Sequence, residues 1–160
     1  MRYVLTQKMF SLGQSFAIRD ADGADVYTVR SRLFTLARQL SIRDLDGSEH
    51  AFIRARFFSW RRQHDIERDG QTIAVVTKRL FTWFRQEFVI EMPGDDDIEV
   101  LGDFVGHEYR FVRGGDLVAT VSKRWFAWTD TYAVDVADGQ DDVLVLAIAV
   151  VIDLVCHQRR

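Results

Sequence analysis

Six glycines keep nearly even time along this chain. Gly23, Gly47, Gly70, Gly94, Gly115 and Gly139 stand 24, 23, 24, 21 and 24 residues apart. Most close a turn signal: ADG, LDG, RDG, PGD, GGD and ADG. Asp-Gly lets the backbone take a positive φ at low cost, which tight hairpins require. The chain contains no Asn, so Asp-Gly carries nearly all of this task.

The stretches before the glycines resemble one another. KMFSLGQSFAIRDADG, from Lys8 to Gly23, aligns without a gap on RLFTLARQLSIRDLDG, from Arg32 to Gly47. RLFTWFRQEFVIEMPG and RWFAWTDTYAVDVADG repeat the theme from Arg79 and Arg124, and RFFSWRRQHDIERDG is one residue shorter. The unit LGDFVGHEYRFVRGG is degenerate and is placed mainly by its turn.

Apolar residues alternate within these units, as in Phe34, Leu36, Leu40 and Ile42. A period of two in aromatic and β-branched residues marks half-buried strands. In the fourth unit the parity slips around Glu87, which predicts a bulge. Shorter strands follow most glycines, so each unit is a hairpin. About twelve strands result, over roughly 2–7, 10–19, 25–30, 34–44, 50–55, 58–67, 72–77, 81–91, 97–101, 103–112, 117–122 and 126–137. Sequential hairpins pair neighbour to neighbour, which favours a closed meander over a small propeller.

The beat stops after Gly139. Apolar residues then run from Val143 to Val155, broken only by Asp153. The run is shorter than the roughly 20 residues of a membrane helix. Its β-branched content keeps a long strand open as an alternative. Its length favours a helix over about 141–157, with Asp141 and Asp142 at the positive end and His157, Arg159 and Arg160 at the negative end. A helix apolar on every face belongs in a core or a membrane. Twelve strands at about 4.8 Å spacing and about 40° tilt give a radius of about 12 Å. That leaves a void about one helix wide. The expected architecture is therefore mainly β: one domain over 1–160, a closed antiparallel barrel over about 2–137 around a buried C-terminal helix.

This arrangement resembles the LURP-one-related family of the tubby-like superfamily, with phospholipid scramblases as relatives. The resemblance spans the whole chain. It rests on QKMFSLGQSFAIRDADG, VTKRLFTWFRQEFVIE, VSKRWFAWTDTYAVDV and DDVLVLAIAVVIDLV. It implies a fold more than an activity. Tubby domains bind phosphoinositide headgroups, and scramblases associate with membranes and calcium.

The residues themselves carry no catalytic signature. No G-x-S-x-G, H-E-x-x-H, P-loop or C-x-x-C occurs, so no enzyme, cofactor or metal is expected. His50, His64, His107 and His157 are scattered and read as solvated surface residues. GDDDIE, from Gly94 to Glu99, reads as an exposed acidic turn. Asp153 reads as a mouth residue near Arg159 or Arg160, with a functional buried acid as the alternative. One cysteine, Cys156, excludes an intramolecular disulfide and suits a cytoplasmic protein. MRYVLTQKMF reads as no secretory signal.

Lys8, Arg32, Arg56, Arg79 and Arg124 recur near the repeat phenylalanines, and Lys78 and Lys123 double the charge in two units. Equivalent positions in a meander fall at equivalent heights, so a ring or stripe at one barrel end is expected. Trp60, Trp83, Trp125 and Trp128 stand nearby in sequence. Cations beside amphipathic rings suit an anionic lipid surface. Lys78, Arg79, Lys123 and Arg124 are the candidate headgroup ligands of a peripheral, non-enzymatic binding protein. A protein-interaction scaffold without lipid affinity is the alternative. The formal charge of -3 argues against nucleic acid as a partner.

Overall fold

The computed structural model describes residues 1–6, 15–32, 39–56, 63–82, 85–123 and 131–157. The strands are β1 (Arg2–Thr6), β2 (Ser15–Asp20), β3 (Asp25–Arg32), β4 (Gln39–Arg43), β5 (Glu49–Ala55) and β6 (Gln63–Arg68). They continue as β7 (Gln71–Thr82), β8 (Arg85–Glu91), β9 (Ile98–Asp103), β10 (Glu108–Arg113), β11 (Asp116–Ser122) and β12 (Thr131–Val136). One helix among the described residues, α1 (Asp142–His157), follows. Each strand pairs antiparallel with its sequence neighbours, and β1 closes the barrel on β12 from Arg2↔Asp135 to Thr6↔Thr131. The meander leaves no open edge strand.

Alternation carries one face of each strand inward. Leu40, Ile53, Ile66 and Ala74 face one another across β4 to β7, and none is more than 3% exposed. The expected bulge in the fourth unit falls on the partner strand. The β7–β8 register shifts between Leu80 and Thr82, opposite Gln86 and Arg85. The degenerate unit departs further from its expected spans. β9 runs on to Asp103, and residues 104–107 form a turn before β10 begins at Glu108.

The barrel has two unlike ends. The glycine turns lie at one, where Gly23, Gly47, Gly70, Gly94, Gly115 and Gly139 all have positive φ. The odd-numbered strands run from this end to the other, where the β9–β10 turn lies. The remaining connections of that far end fall outside the described residues.

α1 occupies the barrel interior, as its uniform apolarity requires. Leu144 to Leu154 are all at most 4% exposed, on every face of the helix. Sixteen residues span about 24 Å, enough to run from the turn end to the far end. Asp141 caps its start, accepting the Leu144 N–H at 3.0 Å. Arg68 holds the same carboxylate through two N–H donors, and the Tyr3 hydroxyl donates to Asp142 at 2.5 Å. Among the described residues no helix is long and apolar enough to cross a membrane.

Candidate functional site

The four candidate basic residues do not share one face. Lys78 and Arg79 are neighbours on β7, so their side chains leave opposite sides of the sheet. Lys78 has the parity of the core residues Ala74 and Val76, and its ammonium lies 5.9 Å from the centroid of the fully buried Phe88 ring. Its charge also reaches Cys156 near the end of α1. Arg79 points outward, opposite Glu87 of β8. Lys123 follows the end of β11, three strands further round than β8. Its backbone N–H donates to the Glu108 carboxylate at 3.0 Å, which also accepts the Ser122 hydroxyl at 2.8 Å. Arg124 lies outside the described residues, as do Lys8 and all four tryptophans. Arg56, from the same recurring set, is paired with Asp65.

Carboxylates are concentrated at the turn end of the barrel. The turn end carries the sequences DADGAD, DLDGSE, RDG, PGDDD and DVADGQDD. Its arginines are already matched: Arg2 with Asp135, Arg19 with Asp25, Arg43 with Glu49, Arg68 with Asp141 and Arg113 with Asp95. Asp22, Asp46, Asp96 and Asp138 are exposed beyond those pairs. The expected acidic turn at Gly94–Glu99 belongs to this rim, with Asp95, Asp96 and Asp97 exposed.

The far end of the interior holds a cluster that the sequence reading missed. Two of the four histidines are not on the surface: His64 is 7% exposed and His107 only 1%. Asp153 is 0% exposed and so enclosed within the barrel, not at an open mouth; Arg159 and Arg160, its expected neighbours, lie outside the described residues. Its partner is His107, whose Nε2 is 2.7 Å from Oδ1. The physical reason is the shortness of the β9–β10 connection. Four residues suffice to cross between the strands, so the turn folds inward and delivers Phe104 and His107 to the core. His107 takes a φ of 54°, unusual for a residue with a side chain.

Local sequence makes this turn. The Asp103 carboxylate accepts the N–H groups of Val105 and Gly106 at 3.1 and 3.0 Å. Gly102 is required where β9 passes β10: a Cβ there would lie 2.4 Å from the Glu108 carbonyl oxygen and 2.7 Å from the Tyr109 Cα. The His107 ring stacks on Tyr132 with centroids 4.5 Å apart, while Phe104 packs between Phe88 and Tyr109. Tyr109 and Tyr132 are themselves buried, at 3% and 0% exposure. Burial first, and then the Asp153 charge, push both phenols well above their ordinary range, so both stay protonated. Burial likewise pushes the Cys156 thiol up to about 11 despite the opposing pull of Lys78. A thiol so protonated is a poor nucleophile. The sequence held two signals for this cluster: Asp153 as the lone charge in the apolar run, and the degenerate unit around His107, whose 21-residue interval before Gly115 is the shortest of the set.

A family model described as LURP-one-related matches residues 1–153. The chain belongs to the LURP-one-related family. The matched stretch contains both members of the His107–Asp153 pair. No curated protein matches this LURP-one-related chain.

Proposed function

We propose that this LURP-one-related protein is a non-enzymatic binding protein that docks on anionic phospholipid headgroups with its far end. The observation that carries the reading is the concentration of carboxylates at the turn end. An anionic surface repels the carboxylate-rich turn end and attracts the half that carries Arg79 and Lys123. The protein would therefore be oriented before contact. The interior supports the same conclusion by elimination. α1 fills the lumen, so a headgroup has to be met on the outside.

Arg79, Lys123 and Arg124 are the proposed ligands. Lys78 is assigned a lesser share, because its stem runs inward over Phe88. Each basic residue near an anionic membrane contributes about 1 kcal/mol. Changing Arg79, Lys123 and Arg124 together to Glu is expected to abolish co-sedimentation with phosphatidylserine or phosphoinositide vesicles. The melting temperature should stay near that of the unaltered protein. Binding of the unaltered protein should fall steeply as salt rises. Failure of the unaltered protein to bind such vesicles at low salt would reject the lipid reading.

A scaffold role is the second reading, favoured by the exposed Leu101, Val105 and Leu117. Scattered exposed apolar residues are common on soluble proteins. A partner retained on the unaltered protein and lost on Leu101→Asp and Leu117→Asp variants would support it.

A further inference from the structure

The buried cluster at the far end poses a problem in hydrogen bonding that the lipid reading does not touch. Tyr109 and Tyr132 bring two hydroxyls into the interior that also holds His107 and Asp153. Neither Oη has a hydrogen-bond partner among the described residues. Buried hydroxyls are nearly always satisfied, because an unpaired one forfeits its hydration without return. The Tyr132 ring stacks on His107, whose Nε2 is 2.7 Å from Asp153, and Tyr109 of β10 is buried two residues after His107, so the three groups approach one another from three elements.

We infer that Tyr109, Tyr132 and Asp153 enclose an internal hydration site, in which an ordered water is shared by the two tyrosine hydroxyls beside the buried carboxylate. The chemistry of the groups selects this ligand. Protonated phenols offer donors as well as acceptors, and the carboxylate offers acceptors. An apolar ligand would leave both hydroxyls unpaired. A metal ion would find a single carboxylate, with the adjacent imidazole already directed at it. A small neutral molecule that both donates and accepts fits, and water is the smallest. Water could accept from one phenol and donate towards the carboxylate.

The site would also tie together separate parts of the fold. Tyr109 is on β10, Tyr132 on β12 and Asp153 on α1, while His107 brings the β9–β10 turn to the same carboxylate. Glu108, next in sequence to His107, accepts the backbone N–H of Lys123. Hydration inside the barrel would thus help to hold the rim on which Lys123 stands.

Tyr109→Phe, Tyr132→Phe and the double variant of the full chain test the inference by sign. Each change keeps the ring and removes only the hydroxyl. Loss of a water-bonded hydroxyl is expected to lower the melting temperature by about 2–4 °C for each single variant. The double variant should lose less than the sum, since the water is shared. A crystal structure of the unaltered protein at high resolution should show a water within hydrogen-bonding distance of both Oη atoms. A hydroxyl that is merely unpaired gives the opposite result, because removing it relieves a desolvation penalty. An unchanged or raised melting temperature in either single variant, strictly additive losses, or a dry site in the crystal overturns the inference. Vesicle binding is not among the readouts, so its failure would reject the lipid reading alone.

Discussion

The two ends of α1 meet the barrel by opposite physics. At the start, Asp141 and Asp142 meet Arg68 and Tyr3 where water still reaches: the Arg68 and Asp141 side chains are 35% and 39% exposed. At the other end, His107 and Asp153 meet at 1% and 0% exposure. The first arrangement adds a cap and an ion pair at little desolvation cost. The second removes a carboxylate and an imidazole from water and depends on their mutual bond. Exposed pairs are typically worth up to about 1 kcal/mol, whereas losing one member of a buried pair costs about 3–5 kcal/mol. The same helix is therefore lightly fastened where it enters and stringently fastened where it ends.

Breaking the stringent end should have the largest effect. Asp153→Ala would remove the carboxylate that His107 meets inside the barrel, and His107→Ala would remove the imidazole that Asp153 meets. Each is expected to destabilise by about 3–5 kcal/mol in denaturant unfolding. Arg68→Ala, at the other end, should cost about 1 kcal/mol or less. The paired change His107→Phe with Asp153→Leu should recover much of the single losses, because it leaves no buried charge behind. Equal costs for Asp153→Ala and Arg68→Ala would erase the proposed difference between the ends.

One substitution made at both ends sharpens the contrast. Gly47 sits in a turn of the acidic end at φ 91°, with nothing within 4 Å of an added Cβ. Gly47→Ala meets only the backbone penalty of the left-handed region, about 1–2 kcal/mol. Gly102→Ala adds collisions with the Glu108 carbonyl and the Tyr109 Cα at a φ of 139°. Both of those atoms are backbone and cannot swing aside, so the cost should exceed that at Gly47, measured as the difference in unfolding free energy. It should also loosen the turn that carries His107, seen as faster amide exchange over residues 103–107.

The contrast also explains what the sequence could and could not disclose. The turn end is written in local code. Asp-Gly fixes the turn, alternation fixes the strands on either side, and the twelve-strand barrel with a core helix follows from counting. Asp141 at the helix start was legible for the same reason, since a cap acts over three residues. The far end depends on partners distant in the chain. His107 and Asp153 are separated by 46 residues, and no spacing rule links an inward-folding turn to a helix that arrives later. Isolated histidines are more often exposed than buried, so the general expectation misplaced His107 and His64. Residue parity did hold the clue that Lys78 and Arg79 diverge. Adjacent strand positions alternate, so equal height along the barrel does not place both side chains on the same side of the sheet.

The smallest expected effect lies at the lightly fastened end and can be read through pH. Burial works to raise the Asp141 carboxyl, but the hydrogen bonds from Arg68 and the Leu144 N–H outweigh it and hold the group below its ordinary value. A carboxyl depressed in the folded state stabilises above its unfolded pKa of about 4. That stabilisation is lost as pH falls through the lower folded value. Asp141→Asn preserves an acceptor for the helix cap while removing the charge that Arg68 needs. Solvent screening limits the effect, since both side chains are more than one third exposed. The variant should be less stable by under about 1 kcal/mol at pH 7. Thermal melts should show a gap of no more than about 2–4 °C at pH 7, narrowing as the pH drops below about 4. Added salt at neutral pH should narrow it too, because the pair is open to counterions. A gap that persists undiminished in strong acid would show that Asp141 acts through packing or the cap alone, and the contrast between the two ends would lose its electrostatic half.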